Sequence, residues 1–276
     1  MDVRPADERD FEGIAEVRLS NGAAHDDSGV SAEYCRHLVE HERLWVAVES
    51  GRVLGYGGAV KVGDARLLSD LFVHAAAHGR GVGGAVLAEV LRGADHMFTF
   101  ATDAPAAVPL YMRAGMVPLH PVITVEGDAQ RVAGAVDHRY LRVIDIDVAD
   151  AVAFERDVTA IDRRHTYEYW SRRSRSRAIA VTDGGETRAV GAMRIGEGWV
   201  RIEHLAVAAH AAVAPAIAAV AADAGSVSLT LTMRGDLEPA RLLVELGYRV
   251  TDLAQYMASS PSLLPERVAV LHSGFG

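Results

Sequence analysis

Three patterns in the sequence predict an α/β protein of two tandem domains, each a mixed, mostly antiparallel sheet flanked by helices. The chain repeats itself at half its length, each copy sets out strand-like and helix-like segments in the same order, and a glycine-dense junction joins a strand to a helix in the first copy. The repeat shows in Leu44 to Val73, "LWVAVESGRVLGYGGAVKVGDARLLSDLFV", against Ala178 to Val207, "AIAVTDGGETRAVGAMRIGEGWVRIEHLAV". Each has an apolar strand, a turn rich in glycine and acid, a strand bearing Gly55 or Gly191, a second turn, and a third strand ending in Leu-x-Val. The offset stays between 132 and 136 residues. Self-similarity at half the chain predicts a duplicated domain, residues 1–132 and 133–276, with the linker inside "EGDAQRVAGAVDH".

The remaining elements follow in order. In "PADERDFEGIAEVRL" Phe11, Ile14 and Val17 recur at helical intervals, and in "SAEYCRHLVEH" Ser31 is a suitable N-cap with Tyr34 and Leu38 on one face. After the three strands comes an Ala/Val/Leu-rich run of helical length. A strand follows ("MFTFATD" from Met97, "VSLTLTM" from Val227), then a helix closing on glycine at "YMRAGM" and "LVELGY". The order per half is β-α-α-β-β-β-α-β-α-β.

Composition narrows the class. With 276 residues, half of them hydrophobic, the chain can bury two cores of ordinary domain size. No run approaches the roughly 20 apolar residues that span a bilayer, and "MDVRPADERD" lacks a secretory pattern. A cytoplasmic protein with no membrane partner is expected. Cys35 is the single cysteine, which excludes an internal disulfide and a cysteine-built zinc site, and no metal is expected. It reads as a small helix residue rather than a reactive thiol. A net charge of −9 argues against nucleic acid and anionic membrane, and favours a neutral or cationic small partner.

Gly79, Gly81, Gly83 and Gly84 separate the strand "LLSDLFV" from a helix whose apolar face is Val82, Val86, Leu87, Val90 and Leu91. A helix N-terminus presents unpaired N–H groups and the positive end of the dipole, and glycines admit a phosphate close to that backbone. The competing reading is a tight turn whose glycines only supply positive φ. Gly79 to Gly84 also satisfies G-x-G-x-x-G with Asp103 24 residues on, which opens an NAD-binding reading. In that fold the first glycine directly follows the first strand of the sheet, whereas here "AAAH" intervenes and a three-stranded meander precedes. No Lys-Ser/Thr follows, so a P-loop is excluded.

Leu71-Phe72-Val73 followed by His78-Gly79-Arg80-Gly81-Val82-Gly83 resembles the signature of the GNAT superfamily of N-acetyltransferases. The resemblance extends over the first half to "PLYMRAGM". It implies acetyl-CoA as cosubstrate, its pantetheine arm along Leu71, Phe72 and Val73 and its pyrophosphate on His78, Gly79, Arg80, Gly81, Val82, Gly83 and Gly84. It also implies Tyr111, four residues before Gly115, as the acid that protonates the departing thiolate, where the plainer reading is a core aromatic. Asp70, three residues before Val73, is the candidate base, or else a solvated or salt-bridged strand carboxylate. The Val73 N–H is the natural polariser of the thioester carbonyl. Two departures stand out: His78 where Gln or Arg is usual, and "TDAPAA" in place of the usual asparagine before the last helix. In the second copy Ala212, Val213, Ala214, Pro215 and Ile217 fall at the positions of His78, Gly79, Arg80, Gly81 and Gly83, and Leu243 at that of Tyr111. A proline removes a donor and branched side chains crowd the approach, so residues from about 135 onward read as a degenerate copy.

The expected function is acetyl transfer from acetyl-CoA to a primary amine by direct attack, with a small-molecule or peptide amine as acceptor and a monomer or homodimer as the assembly. A ping-pong route through Cys35 lacks an adjacent base. The alternative from another class is a non-catalytic acyl-CoA-binding or scaffold protein. His25 and His74 are further candidates for moving protons, as histidine side chains, but nothing fixes a partner for either and each reads as structural or exposed. "HDDSG" (His25 to Gly29) is placed to border the acceptor pocket, and "RRHTYEYW" (Arg163 to Trp170) either caps it or packs at the domain interface.

Overall fold

In a computed structural model, which describes residues 1–22, 32–102, 106–263, 267–272, 274 and 275, the repeat is visible strand by strand. Ser31, the "HDDSG" cluster and Asp103 lie outside the described residues. β1 (Asp2–Pro5) is followed by α1 (Phe11–Ser20) and α2 (Ala32–His41), and pairs antiparallel with β2 (Arg43–Glu49). β2, β3 (Arg52–Val62) and β4 (Ala65–Val73) make an antiparallel meander. α3 (Val82–Val90) then crosses to β5 (His96–Ala101), parallel to β4, and α4 (Ala107–Arg113) leads to β6 (Val117–Asp128). The presumed linker holds α5 (Ala129–Ala135), which packs on a helix of the second half. The order then recurs as β7 (Leu141–Asp145), α6 (Val148–Thr159), α7 (Arg164–Arg172), β8 (Ser176–Asp183), β9 (Glu186–Gly196), β10 (Trp199–Val207), α8 (Val213–Ala224), β11 (Ser228–Arg234), α9 (Glu238–Glu245) and β12 (Arg249–Ala258). A short strand that the repeat does not predict, β13 (Val268–Val270), follows.

The repeated motifs have local causes. α4 and α9 stop where Gly115 and Gly247 take φ of +96° and +83°, the left-handed turn that ends many helices. A Cβ on Gly55 would sit 2.9 Å from the Phe72 carbonyl oxygen, and one on Gly191 2.1 Å from that of His204. The meander closes only with glycine at both places. β4 carries a bulge at Ser69, between the Leu68 and Asp70 pairings, and β10 carries one at Glu203, between those of Ile202 and His204. At the repeat offset of 134 these bulges coincide, and His204 stands where the first half has Asp70.

The two copies share one sheet, ordered β1-β2-β3-β4-β5-β12-β6-β11-β10-β9-β8-β7. β12, from the second copy, pairs with β5, setting Gln255 opposite Ala101 and Met257 opposite Thr99. β6, from the first copy, pairs with β11, setting Val125 opposite Leu231. Each copy's last long strand thus completes the sheet of the other. On one face a single apolar cluster runs through both halves, including Tyr56, Phe98, Tyr167, Trp170, Tyr256 and Phe275. The opposite face has separate cores, one under α3 and α4 and one under α5, α8 and α9.

Candidate active site

β4 and β5 run together only over Ala65 to Leu68 against His96 to Thr99, and beyond the Ser69 bulge β4 keeps β3 alone. Antiparallel strands alternate between residues bonded to their partner and residues facing away. The His74 N–H bonds the Leu54 carbonyl at 2.8 Å, so the N–H groups of Leu71 and Val73 face the opened side, where β5 has left. The gap therefore offers the row of donors that an added extended chain requires. Phe72 faces the other way along the backbone. Its ring stacks on Tyr56 at 5.6 Å, under the Arg18 guanidinium 5.6 Å from its centroid.

At the mouth of this gap, Gly79 and Gly81 have φ of +76° and +81°, and a Cβ at either would meet open space. Gly81 is the N-cap of α3, without a side-chain cap. Among the described residues no acceptor takes the N–H groups of Gly79 to Gly84. The turn is thus a set of free donors at the positive end of a helix, as an anion site requires. Gly83 and Gly84 lie against Val73 and Leu110, while Val82 is core. The other two residues of the turn have their own partners. His78 Nε2 folds back to 2.9 Å from the Val73 carbonyl oxygen, which Asn21 Nδ2 also meets at 2.9 Å, and Arg80 pairs with Glu49 at 2.7 Å.

Asp70 leaves the bulge on the α1 and α2 side of the sheet. Its Oδ2 accepts from the Tyr34 hydroxyl at 2.8 Å and from the Ser69 hydroxyl at 3.0 Å. Burial pushes its carboxyl above the usual range, opposed by the Tyr34 hydrogen bond and by the charge of Arg18. Tyr111 is 7 % exposed on α4, and burial together with the charge of Asp70 pushes its phenol up to about 12. It is fully protonated near neutral pH. The Cys35 thiol is buried and pushed up to about 12 by that burial and by Asp70, an unreactive setting. His74 Nδ1 accepts from the Ala76 N–H at 3.2 Å, a capping role outside the gap.

Sequence reasoning read Tyr34 only as a helix-face residue and passed over Arg18 and Asn21. A phenol on the buried face of a helix needs an acceptor for its hydroxyl, and that was the available signal. The "RRHTYEYW" segment forms α7, whose Tyr167, Tyr169 and Trp170 are buried, with Tyr169 6.1 Å from Tyr34 across the two halves.

The second copy differs where the first is open. β10 and β11 pair over Trp199 to Ile202 and then part in the same way, but β13 lies in the gap, with Leu205 opposite Val270 and Ala206 opposite Val268. The Val207 N–H, counterpart of that of Val73, bonds the Arg267 carbonyl at 2.9 Å, and the Leu271 N–H bonds Thr232 at 2.8 Å. α8 begins at Val213, so the helix runs through the stretch that is a glycine turn in the first copy. His204 is wholly buried against Glu155, with Nε2 3.0 Å from Oε1.

A splayed strand pair is built twice into one sheet, and in the first copy it lies beside a glycine turn that opens a helix. Residues 40–117 match the family model described as the acetyltransferase (GNAT) domain. It is 33% identical over 102 residues to a mycothiol acetyltransferase of Rhodococcus jostii strain RHA1, a match that takes in 36% of this chain and 31% of that protein. The chain therefore spans about a third of the curated relative it matches. Two solved structures share the fold along almost the whole chain. A protein from Pyrococcus horikoshii described as a putative acetyltransferase superposes with a TM-score of 0.73 at 17% identity, over 100% of this chain and 95% of its own. A tandem GNAT protein from the clavulanic acid biosynthesis pathway superposes with a TM-score of 0.62 at 12% identity, over 95% and 99%.

Proposed function

We propose that the chain is an acetyl-CoA-dependent N-acetyltransferase with one site, in the first half, that moves an acetyl group to a primary amine by direct attack. The observation that carries this reading is the contrast between the two gaps. The Val73 N–H faces an open gap beside a turn of free donors, whereas the equivalent Val207 N–H is bonded to Arg267. On this reading the pantetheine runs along Leu71 to Val73 and the pyrophosphate rests on the turn from His78 to Gly84. Residues 133–276 act as a degenerate partner domain.

The roles follow from chemistry at each atom. An alkyl ammonium with a pKa near 10.4 must lose a proton before it attacks. Asp70 takes that proton, directly or through water, from an amine held on the α1 and α2 side. The Val73 N–H polarises the thioester carbonyl, where negative charge develops. Tyr111, protonated at neutral pH, gives a proton to the departing thiolate. The acceptor is a small-molecule or peptide amine.

Thiol release from acetyl-CoA in the presence of a mixed amine panel tests the reading. Amine-dependent release is expected. Stoichiometric binding of acetyl-CoA without release to any amine would favour the acyl-CoA-binding alternative, and binding of NADH without competition by acetyl-CoA would reject the family chemistry for this chain.

A further inference from the structure

The segment described by residues 267–272, 274 and 275 touches both the filled gap of the second half and the neighbourhood of the candidate base in the first. Val268, Ala269 and Val270 are 2 % exposed or less between β10 and β11. The chain then turns, with the Phe275 N–H bonded to the His272 carbonyl at 3.0 Å, and the Arg163 guanidinium, itself held by Glu155 at 2.7 Å, donates to the Phe275 carbonyl. The Phe275 ring is wholly buried and meets Tyr34 edge-on at 5.5 Å, with Tyr169 5.1 Å and Trp170 5.7 Å away. A Cβ on Gly274 would lie 3.1 Å from the Tyr34 hydroxyl, so the backbone of the segment walls that hydroxyl in. The Tyr34 hydroxyl donates to Asp70 Oδ2 at 2.8 Å.

We propose that this segment is the resident strand of the second half's gap, and that through Phe275 it positions Tyr34 and thereby the Asp70 carboxylate for reaction in the first half. The inference rests on the proposed function for its kinetic consequence, though not for its geometry. It gives the degenerate copy a role. Its gap no longer takes a cosubstrate and instead anchors a peptide that fixes a ring under the base. Phe275 and Tyr34 are positioning residues, since neither faces the opened side of β4. Tyr34 has few ways to turn once Phe275 and Tyr169 pack its ring from two sides, so its hydrogen-bonding direction is set by packing, not by its own torsions.

The test separates positioning from simple stability. Four variants are compared with the full chain: Tyr34→Phe, Phe275→Ala, Phe275→Leu, and Tyr34→Phe with Phe275→Ala. The groups facing Asp70 are Arg18 on α1, Tyr34 and Cys35 on α2, Tyr56 on β3, its neighbour Ser69, and Tyr111 on α4. Only the Tyr34 contact is altered by these changes. That hydrogen bond favours the ionised carboxylate, so its loss moves the rising limb of the kcat/KM profile to higher pH, by about one unit for a charge-assisted bond. Tyr34→Phe and Phe275→Ala are each expected to show that shift and to lower kcat about 10- to 100-fold, the cost of a misplaced group. The acetyl-CoA KM should stay near the wild-type value. Phe275→Leu should recover most of the loss, and the double variant should be no worse than Tyr34→Phe, because both changes cut one path.

A Phe275→Ala enzyme whose kcat falls at every pH with the limb unmoved, or a double variant whose losses add, would overturn the proposal. A carbon-13 NMR titration of the Asp70 carboxyl in the same proteins reads the coupling without turnover. If wild-type protein acetylates no amine, the proposed function fails, and the titration still decides the inference: an upward move in both single variants supports it, and an unmoved Phe275→Ala titration rejects it.

Discussion

Gln255 lies directly opposite Ala101, although one belongs to the second copy and the other to the first. The pairing follows from the exchange of β6 and β12, and it leaves neither half with a complete sheet of its own residues. Separated halves would expose β5 and β11 as long unpaired edges, which invite association. Calorimetry of the full chain should therefore give one cooperative transition rather than two. Residues 1–132 expressed alone should associate or aggregate. Two resolved transitions, or a stable monomeric first half, would contradict this coupling.

Gly81 sits at φ +81° in the exposed turn, a conformation that proline, held near φ −65°, does not adopt. Gly81→Pro should redirect the free N–H groups and weaken coenzyme A binding by at least about 100-fold, equivalent to two charge-assisted hydrogen bonds. Wild type should bind one equivalent in isothermal calorimetry. A stoichiometry of two would show that β13 is displaced from the second gap.

Tyr111→Phe keeps the buried ring and removes the hydroxyl, so folding and acetyl-CoA KM should hardly change. Turnover should fall about 10²- to 10⁴-fold, the range for a lost general acid. Raising the pH should not restore it, because the missing group donates a proton. Wild-type turnover in a chemistry-limited assay would return Tyr111 to a core aromatic.

Asp70→Asn should behave in the opposite sense with pH. Without a base, turnover depends on the fraction of neutral amine, which grows as the pH rises toward the amine's own pKa, so activity should recover partly in alkaline buffer. Stability gives a second sign. Burial raises the folded-state pKa of Asp70, so its favourable contribution is present below the unfolded carboxylate value and is lost as the pH rises through the folded value. The melting temperature of Asp70→Asn should match wild type in acid and exceed it at neutral pH. A variant less stable than wild type at neutral pH would mean that the Tyr34 and Ser69 hydrogen bonds outweigh burial.

The element order, the duplication and the glycine turn were legible in the sequence because their causes are local. Apolar runs between turns rich in glycine and acid set the meander strands, helical spacing set Ile14, Val17, Tyr34 and Leu38 inward, and Gly81 marked a positive φ beside a helix start. The loss of the turn in the second copy was equally local, written in Pro215 and Ile217. What only the tertiary structure decided was which strands meet. β6 and β12 carry compatible patterns, so nothing short-range distinguishes pairing within a copy from exchange between copies. β13 is three residues of ordinary apolar sequence, and its burial depends on a gap made by residues some 60 positions earlier. Tyr34 meets Asp70 across 36 residues and Phe275 across more than 200, distances over which a chain's local preferences hold no information and packing alone selects the contact.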